Sequence, residues 1–278
     1  MKTIKYASSL LAALSLAMPL INTSVVHADT KADTKLLAKV NKHYIKSGHV
    51  AMTASSKQFL HPEVSGQANF DQKHTLGTAD YQLNLLTPQK YHSRFYVAKK
   101  EVINNNQKLD VFKRYQRFAN TAKVAKSLQD VWQMQDAKPN IMPTKDGYTI
   151  STKNDKLIKQ IVKKYMSKEH YEGVNVKNAY LVENVDKNGK PLDIKFDAIV
   201  PTDDMPDAHL VLHFTKLNSK VTLNKAQIAK LKHNATTNKV KDFDDVLQFL
   251  GITSWQKSVL MGLNSVNAIA KNVTIKDK

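Results

Sequence analysis

Few residues in this chain are spaced for chemistry. His209 and His213 stand four apart on a predicted strand, so both side chains share a face, and Asp203, Asp204 and Asp207 lie just upstream. Imidazoles beside carboxylates are the raw material of a zinc or calcium site. A closed zinc site needs tighter spacing than a strand gives. A calcium loop needs a turn glycine and a bidentate glutamate, both missing here. The cluster therefore reads as the polar outer face of a strand after an acidic turn, and no metal is expected. No G-x-S-x-G, P-loop or H-E-x-x-H pattern occurs, and the carboxylates are scattered rather than paired. Neither an enzyme nor a cofactor is expected.

Charge is the stronger signal. From Lys90 to Lys126 the chain holds Lys90, Arg94, Lys99, Lys100, Lys108, Lys113, Arg114, Arg117, Lys123 and Lys126 against only Glu101 and Asp110. Tyr91, Phe95, Tyr96, Phe112, Tyr115 and Phe118 are interleaved. Cations among aromatic rings suit nucleic acid, where phosphates meet Lys and Arg and bases stack. They suit anionic wall polymers or lipid head groups equally well, and a solvated face that keeps the chain soluble is the plainest reading of all. Lys90, Arg94, Lys99, Lys100, Lys113, Arg114 and Arg117 are the candidates for anionic-surface binding.

These residues must be positioned by a mixed set of elements. Lys35 to Ile45 has helical apolar spacing and ends at Ser47-Gly48. From His49 the period becomes two, with strand candidates at Val50–Leu60, Ala68–Phe70, Thr78–Leu86 and Tyr91–Ala98. Leu109–Phe118 reads as strand or helix, Ala119–Leu128 as weak helix or loop, Asp130–Met134 as a short strand and Pro139–Pro143 as a connection. The central stretch runs from Asp146 to Leu217. Tyr148–Ser151 is a strand edge, and Asn154 or Asp155 caps a helix with Leu157, Ile158, Ile161, Val162, Tyr165 and Met166 on one side. Val174–Val185 and Leu192–Val200 form a hairpin about Asp186-Lys187-Asn188-Gly189. Ala208–Leu217 adds a strand with Leu210, Leu212 and Phe214 on one face and His209, Val211 and His213 on the other. An antiparallel sheet with a helix on its apolar face satisfies all of this. Leu223–Leu231 is a short helix and Thr236–Asn238 a linker. Residues 242–269 form a helical hairpin whose apolar face must dock on its own domain, a partner or a bilayer.

The compartment is read from the start of the chain. Lys2 and Lys5 precede an apolar run from about Ala7 to Ile21, then Val26-His27-Ala28. This is the pattern of a secretory signal peptide cleaved before Asp29. Cys is absent, which excludes disulfides, thiolate metal sites, a catalytic thiol and an acylated anchor. A Cys-free, Lys- and Asn-rich exported chain leans toward a Gram-positive cell. Removing Lys2 and Lys5 with the leader takes the formal charge from +18 to +16. The predicted division is 1–28 signal peptide, 29–235 an α+β domain and 236–278 a helical extension.

The order of elements resembles secreted and lipoprotein domains of Gram-positive bacteria with the LolA/LppX-like fold. The matching pieces are Leu36 to Ala98, the Trp132 segment, Asp146-Gly147-Tyr148-Thr149-Ile150, the helix Asp155–Met166 and the strands to Leu217. The resemblance implies a strongly curved antiparallel sheet, a half-barrel, wrapped round helices, with lipids or lipidated chains bound in its concave cavity. Many of its members are tethered by an acylated Cys that this chain lacks. The helical extension after Asn238 is also outside its pattern. Candidates for the cavity lining are Leu157, Ile161, Tyr165, Phe196, Leu212 and Phe214, which would be core if the half-barrel is filled. The expectation is an exported, non-enzymatic envelope protein, cell-surface associated, holding a hydrophobic ligand and kept at the anionic surface by charge. Nucleic acid is not an expected physiological partner. The alternative is an adhesion protein that binds wall or host polymers with no internal ligand.

Overall fold

The computed structural model describes residues 31–56, 62–83, 89–98, 101–105, 107–110, 121–134, 137–157, 177–202 and 205–238. Helix α1 (Lys31–Lys42) buries Leu36 and Val40, with Asp33 in its first turn and Lys39 and Lys42 in its last, as the helix dipole favours. Six strands follow: β1 (Gly48–Ser56), β2 (Pro62–Phe70), β3 (His74–Leu83), β4 (Gln89–Ala98), β5 (Glu101–Asn104) and β6 (Gln107–Asp110). Helix α2 (Thr121–Gln129) runs into a 3-10 turn (Asp130–Gln133). Next come β7 (Asn140–Pro143), β8 (Gly147–Thr152), β9 (Lys177–Asp186), β10 (Pro191–Thr202) and β11 (Met205–Thr215). Helix α3 (Lys225–Asn234) and β12 (Thr236–Asn238) close the described chain.

The strands make one open, twelve-stranded sheet in the order β12-β6-β5-β4-β3-β2-β1-β11-β10-β9-β8-β7. Two meanders, β1–β6 and β7–β11, meet where β1 pairs with β11, and among the described strands β12 alone runs parallel to its neighbour, β6. This is an α+β architecture with a dominant antiparallel sheet. The β9–β10 hairpin turns at Gly189, whose φ of 81° lies in the left-handed region and whose N–H closes the turn on the Asp186 carbonyl at 2.9 Å.

Register aligns the core. Phe95, Gly77, Ala68, Val50, Phe214, Ile194, Glu183, Ile150 and Ile141 form one row across β4, β3, β2, β1, β11, β10, β9, β8 and β7. A second row on the same face reads Ser93, Ala79, Gly66, Met52, Leu212, Phe196, Leu181 and Thr152. The main core gathers on this face, with α1, α2 and the 3-10 turn packed on it. Phe70 meets Phe214 edge to face at 5.9 Å. The opposite face carries a smaller core: Leu76, Tyr96 and Ile103 are covered by Leu223, Ile228 and Leu231 around α3. The Asn224 side chain caps that helix by accepting from the Gln227 N–H at 3.0 Å.

Three local expectations are corrected and one open alternative is resolved. Asp130–Met134 is a tight helical turn rather than a strand, because Val131 and Trp132 are both buried and period-two alternation would expose one of them. Ala119–Leu128 resolves as helix from Thr121. Asn140–Pro143 is the edge strand β7, and Thr236–Asn238 is a strand paired with β6. The helix expected at Asp155–Met166 is described only at its start, where the Asn154 side chain accepts from the Leu157 N–H at 3.2 Å; the remainder lies outside the described residues. The leader 1–28, the stretch Phe112–Phe118 and the hairpin 242–269 also lie outside them.

Candidate functional site

Four of the six expected lining residues gather on the helix-bearing face of the sheet. Leu157, Phe196 and Phe214 are buried in its main core, while Leu212 is half-buried at the core's edge. Ile161 and Tyr165 lie outside the described residues. In the second row, Gly66, Met52 and Leu212 form a half-buried run between buried Ala79 and buried Phe196. Half-buried Val64 lies beside Gly66 on the same face of β2, and half-buried Phe95 lies farther along that face on β4. Small side chains dominate the β2–β4 side: Gly66, Ala68, Gly77, Ala79 and Ser93. Large ones dominate the β10–β11 side. A Cβ at Gly77 would fall on the Gln67 carbonyl oxygen and on Ala68, so that position admits no side chain without backbone movement.

Among the described residues one carboxylate interrupts this surface. Glu183 is fully buried, with Ile194 and Ile150 beside it in the first row. Gln129 Nε2 donates to Glu183 Oε1 at 2.9 Å, and Trp132 Nε1 donates to Oε2. Lys126 Nζ donates to Gln129 Oε1 at 2.8 Å and to the Asn41 carbonyl of α1 at 3.3 Å, and pairs with Asp130 at 2.9 Å. Burial pushes the Glu183 carboxyl up to about 7, against the pull of its two donors and of Lys126. Lys126, read from sequence as part of a basic run, is thus turned inward. Glu183 was open to detection: it is an acid in the apolar phase of Leu181, Glu183 and Val185.

The basic stretch is only partly described. Lys90 and Arg94 are exposed on β4; Lys99, Lys100, Lys113, Arg114 and Arg117 lie outside the described residues. Between Lys90 and Arg94 on the same face, His92 pairs with Asp80 at 2.7 Å, so this part of the face is mixed in charge. Lys108 pairs with Glu101 at 3.1 Å, and Lys232 of α3 pairs with the other Glu101 oxygen. Burial works to raise the Glu101 carboxyl, but the two lysines outweigh it and hold it below its ordinary value. Lys232 also lies 5.0 Å over the Tyr96 ring, on which His74 stacks at 6.0 Å.

His209 and His213 do share a face, but each takes its own carboxylate from β10. His209 Nε2 is 2.8 Å from Asp197, and His213 Nε2 is 3.9 Å from Asp193. Burial and then Lys195 hold the His213 imidazole below its ordinary value, against Asp193. The upstream aspartates of the sequence reading are not these partners; hairpin register supplies them instead. Among the described residues no group of three or more His, Asp and Glu is placed to hold a metal ion, and no helix is long and apolar enough to cross a membrane.

No family model and no curated protein matches the chain. Among solved structures it is similar to the dehydratase domain of PpsC from Mycobacterium tuberculosis in complex with C12:1-CoA, at 8% identity over 69% of this chain and 84% of that one. The TM-score of 0.12 is too low for that likeness to carry any argument.

Proposed function

We propose that this chain is an exported, non-enzymatic cell-envelope protein that holds an amphiphile, a lipid or acyl chain, against the helix-bearing face of a LolA/LppX-like half-barrel. Its positive charge keeps it at the anionic surface of the cell. The observation that carries the reading is the half-buried apolar run Gly66, Met52 and Leu212 in the middle of that face, with half-buried Val64 beside it. A sheet of this size with α1 and α2 on that face supports it, as do the small side chains of its β2–β4 half. Exposed Lys90 and Arg94 and the formal charge of +16 left after the leader is removed support retention by anionic polymers or head groups.

The test is extraction. Protein purified without detergent is extracted with organic solvent, and the extract is analysed by mass spectrometry. An acyl-chain compound in near-stoichiometric amount is the expected result. A clean extract from folded protein, together with no uptake of added lipid, would sink the reading. Release of the protein from cells by molar salt tests the charge component separately, and a protein that stays bound there contradicts it.

A further inference from the structure

Amphiphile binding makes no use of Glu183. The charged groups that bear on this carboxylate, among the described residues, come from each element packed about it. Helix α2 brings Lys126 through Gln129, and the 3-10 turn brings the Trp132 donor and Asp130, which holds Lys126. From β10, Asp193 adds repulsion from the other side of the sheet. Helix α1 offers only the Asn41 carbonyl to Lys126. The strand neighbours Ile194 and Ile150 are apolar.

The direction of these bonds is fixed at both ends. A Trp N–H and a Lys ammonium can only donate. A proton arriving on Glu183 finds an acceptor only on the side that faces Gln129, whose amide can turn. An amide turned to accept that proton takes its oxygen away from Lys126. A single proton thus re-routes a chain of bonds that joins β9, α2, the 3-10 turn and α1.

We propose that the segment Thr121–Gln133 is a proton-linked cover, which takes up a proton at Glu183 when it seats on β9 and lifts more readily as the medium turns alkaline. Gating of the apolar face by this cover rests on the function proposed above; the proton linkage does not. Lifting the segment returns the carboxyl to water and to its ordinary value of 4.5, from about 7 when seated. The opening constant should then rise on the order of 10²-fold across that interval and level off above it.

Hydrogen exchange of the Ala122–Trp132 amides, corrected for intrinsic rate, reads this directly from about pH 5 to about pH 8. The wild type is expected to show the rise and Glu183→Gln a flat profile. A flat wild type, or an equal rise in the variant, overturns the proposal. Infrared titration needs no variant: a buried protonated carboxyl band that bleaches near neutrality supports the proposal, and its absence in mildly acidic solution overturns it. Trp132→Phe, which removes a donor to the ionised form, should move the bleaching to higher pH; no shift counts against Glu183 as its source. Uptake of a fluorescent acyl probe separates the two readings. Probe uptake with pH-independent exchange contradicts the cover alone, whereas pH-dependent exchange without uptake supports the cover and contradicts the amphiphile reading.

Discussion

Glu183 and Glu101 are two carboxylates with opposite consequences for stability. Glu183 is raised, so between pH 4.5 and about 7 the folded chain holds a proton that the unfolded chain has released. Its contribution is complete below the unfolded value and is lost as pH climbs through the folded one, about 3 kcal/mol in all. Glu101 is lowered, so its contribution is present above its unfolded value of 4.5 and is lost as pH falls through the folded value. Urea unfolding across this range should show stability falling on both sides. Glu183→Gln is expected to remove the loss toward neutral pH and Glu101→Gln the loss toward acid. Profiles unchanged by either substitution would contradict the assignment. Removing the Trp132 donor by Trp132→Phe strands one oxygen of a buried acid, and a loss of about 2 kcal/mol near neutral pH is expected in the same measurement.

At the scale of elements, α3 and β12 are tied to the face and edge opposite the main core. Leu231 packs on Leu76, Tyr96 and Ile103, and Lys232 reaches Glu101. Leu231→Ala should cost about 2–3 kcal/mol in urea unfolding, while Lys232→Met, which removes a half-exposed pair, should cost under about 1 kcal/mol. A silent Leu231→Ala would mean that α3 is not seated there. Much of the sheet is legible in the sequence: alternation over Leu210, Leu212 and Phe214 requires one buried face, and Asp186 to Gly189 specifies a hairpin. The seat of α3 is not legible, because Leu76, Tyr96 and Ile103 meet only through strand pairing. The 3-10 turn is not legible either, since five residues with adjacent Val131 and Trp132 fit more than one period. Of the site, the apolar phase can be read from sequence. The partners of Glu183 cannot, because Gln129 and Trp132 reach it across more than fifty positions of chain.

At the scale of the molecule, the proposed function pairs an apolar sheet face with a cationic exterior. Charge reversal at Lys90 and Arg94 together should weaken co-sedimentation with phosphatidylglycerol vesicles at low salt and change little at molar salt. Equal binding by wild type and variant at low salt would place the anion-binding surface elsewhere. Ligand binding at the apolar face is settled by one titration: a fluorescent acyl-chain probe added to folded wild-type protein and to Leu212→Lys. Saturable binding near one probe per chain is expected for the wild type, with at least a tenfold loss in the variant, about 1.4 kcal/mol. Failure of the folded wild type to bind saturably, or equal binding by both proteins, would contradict it.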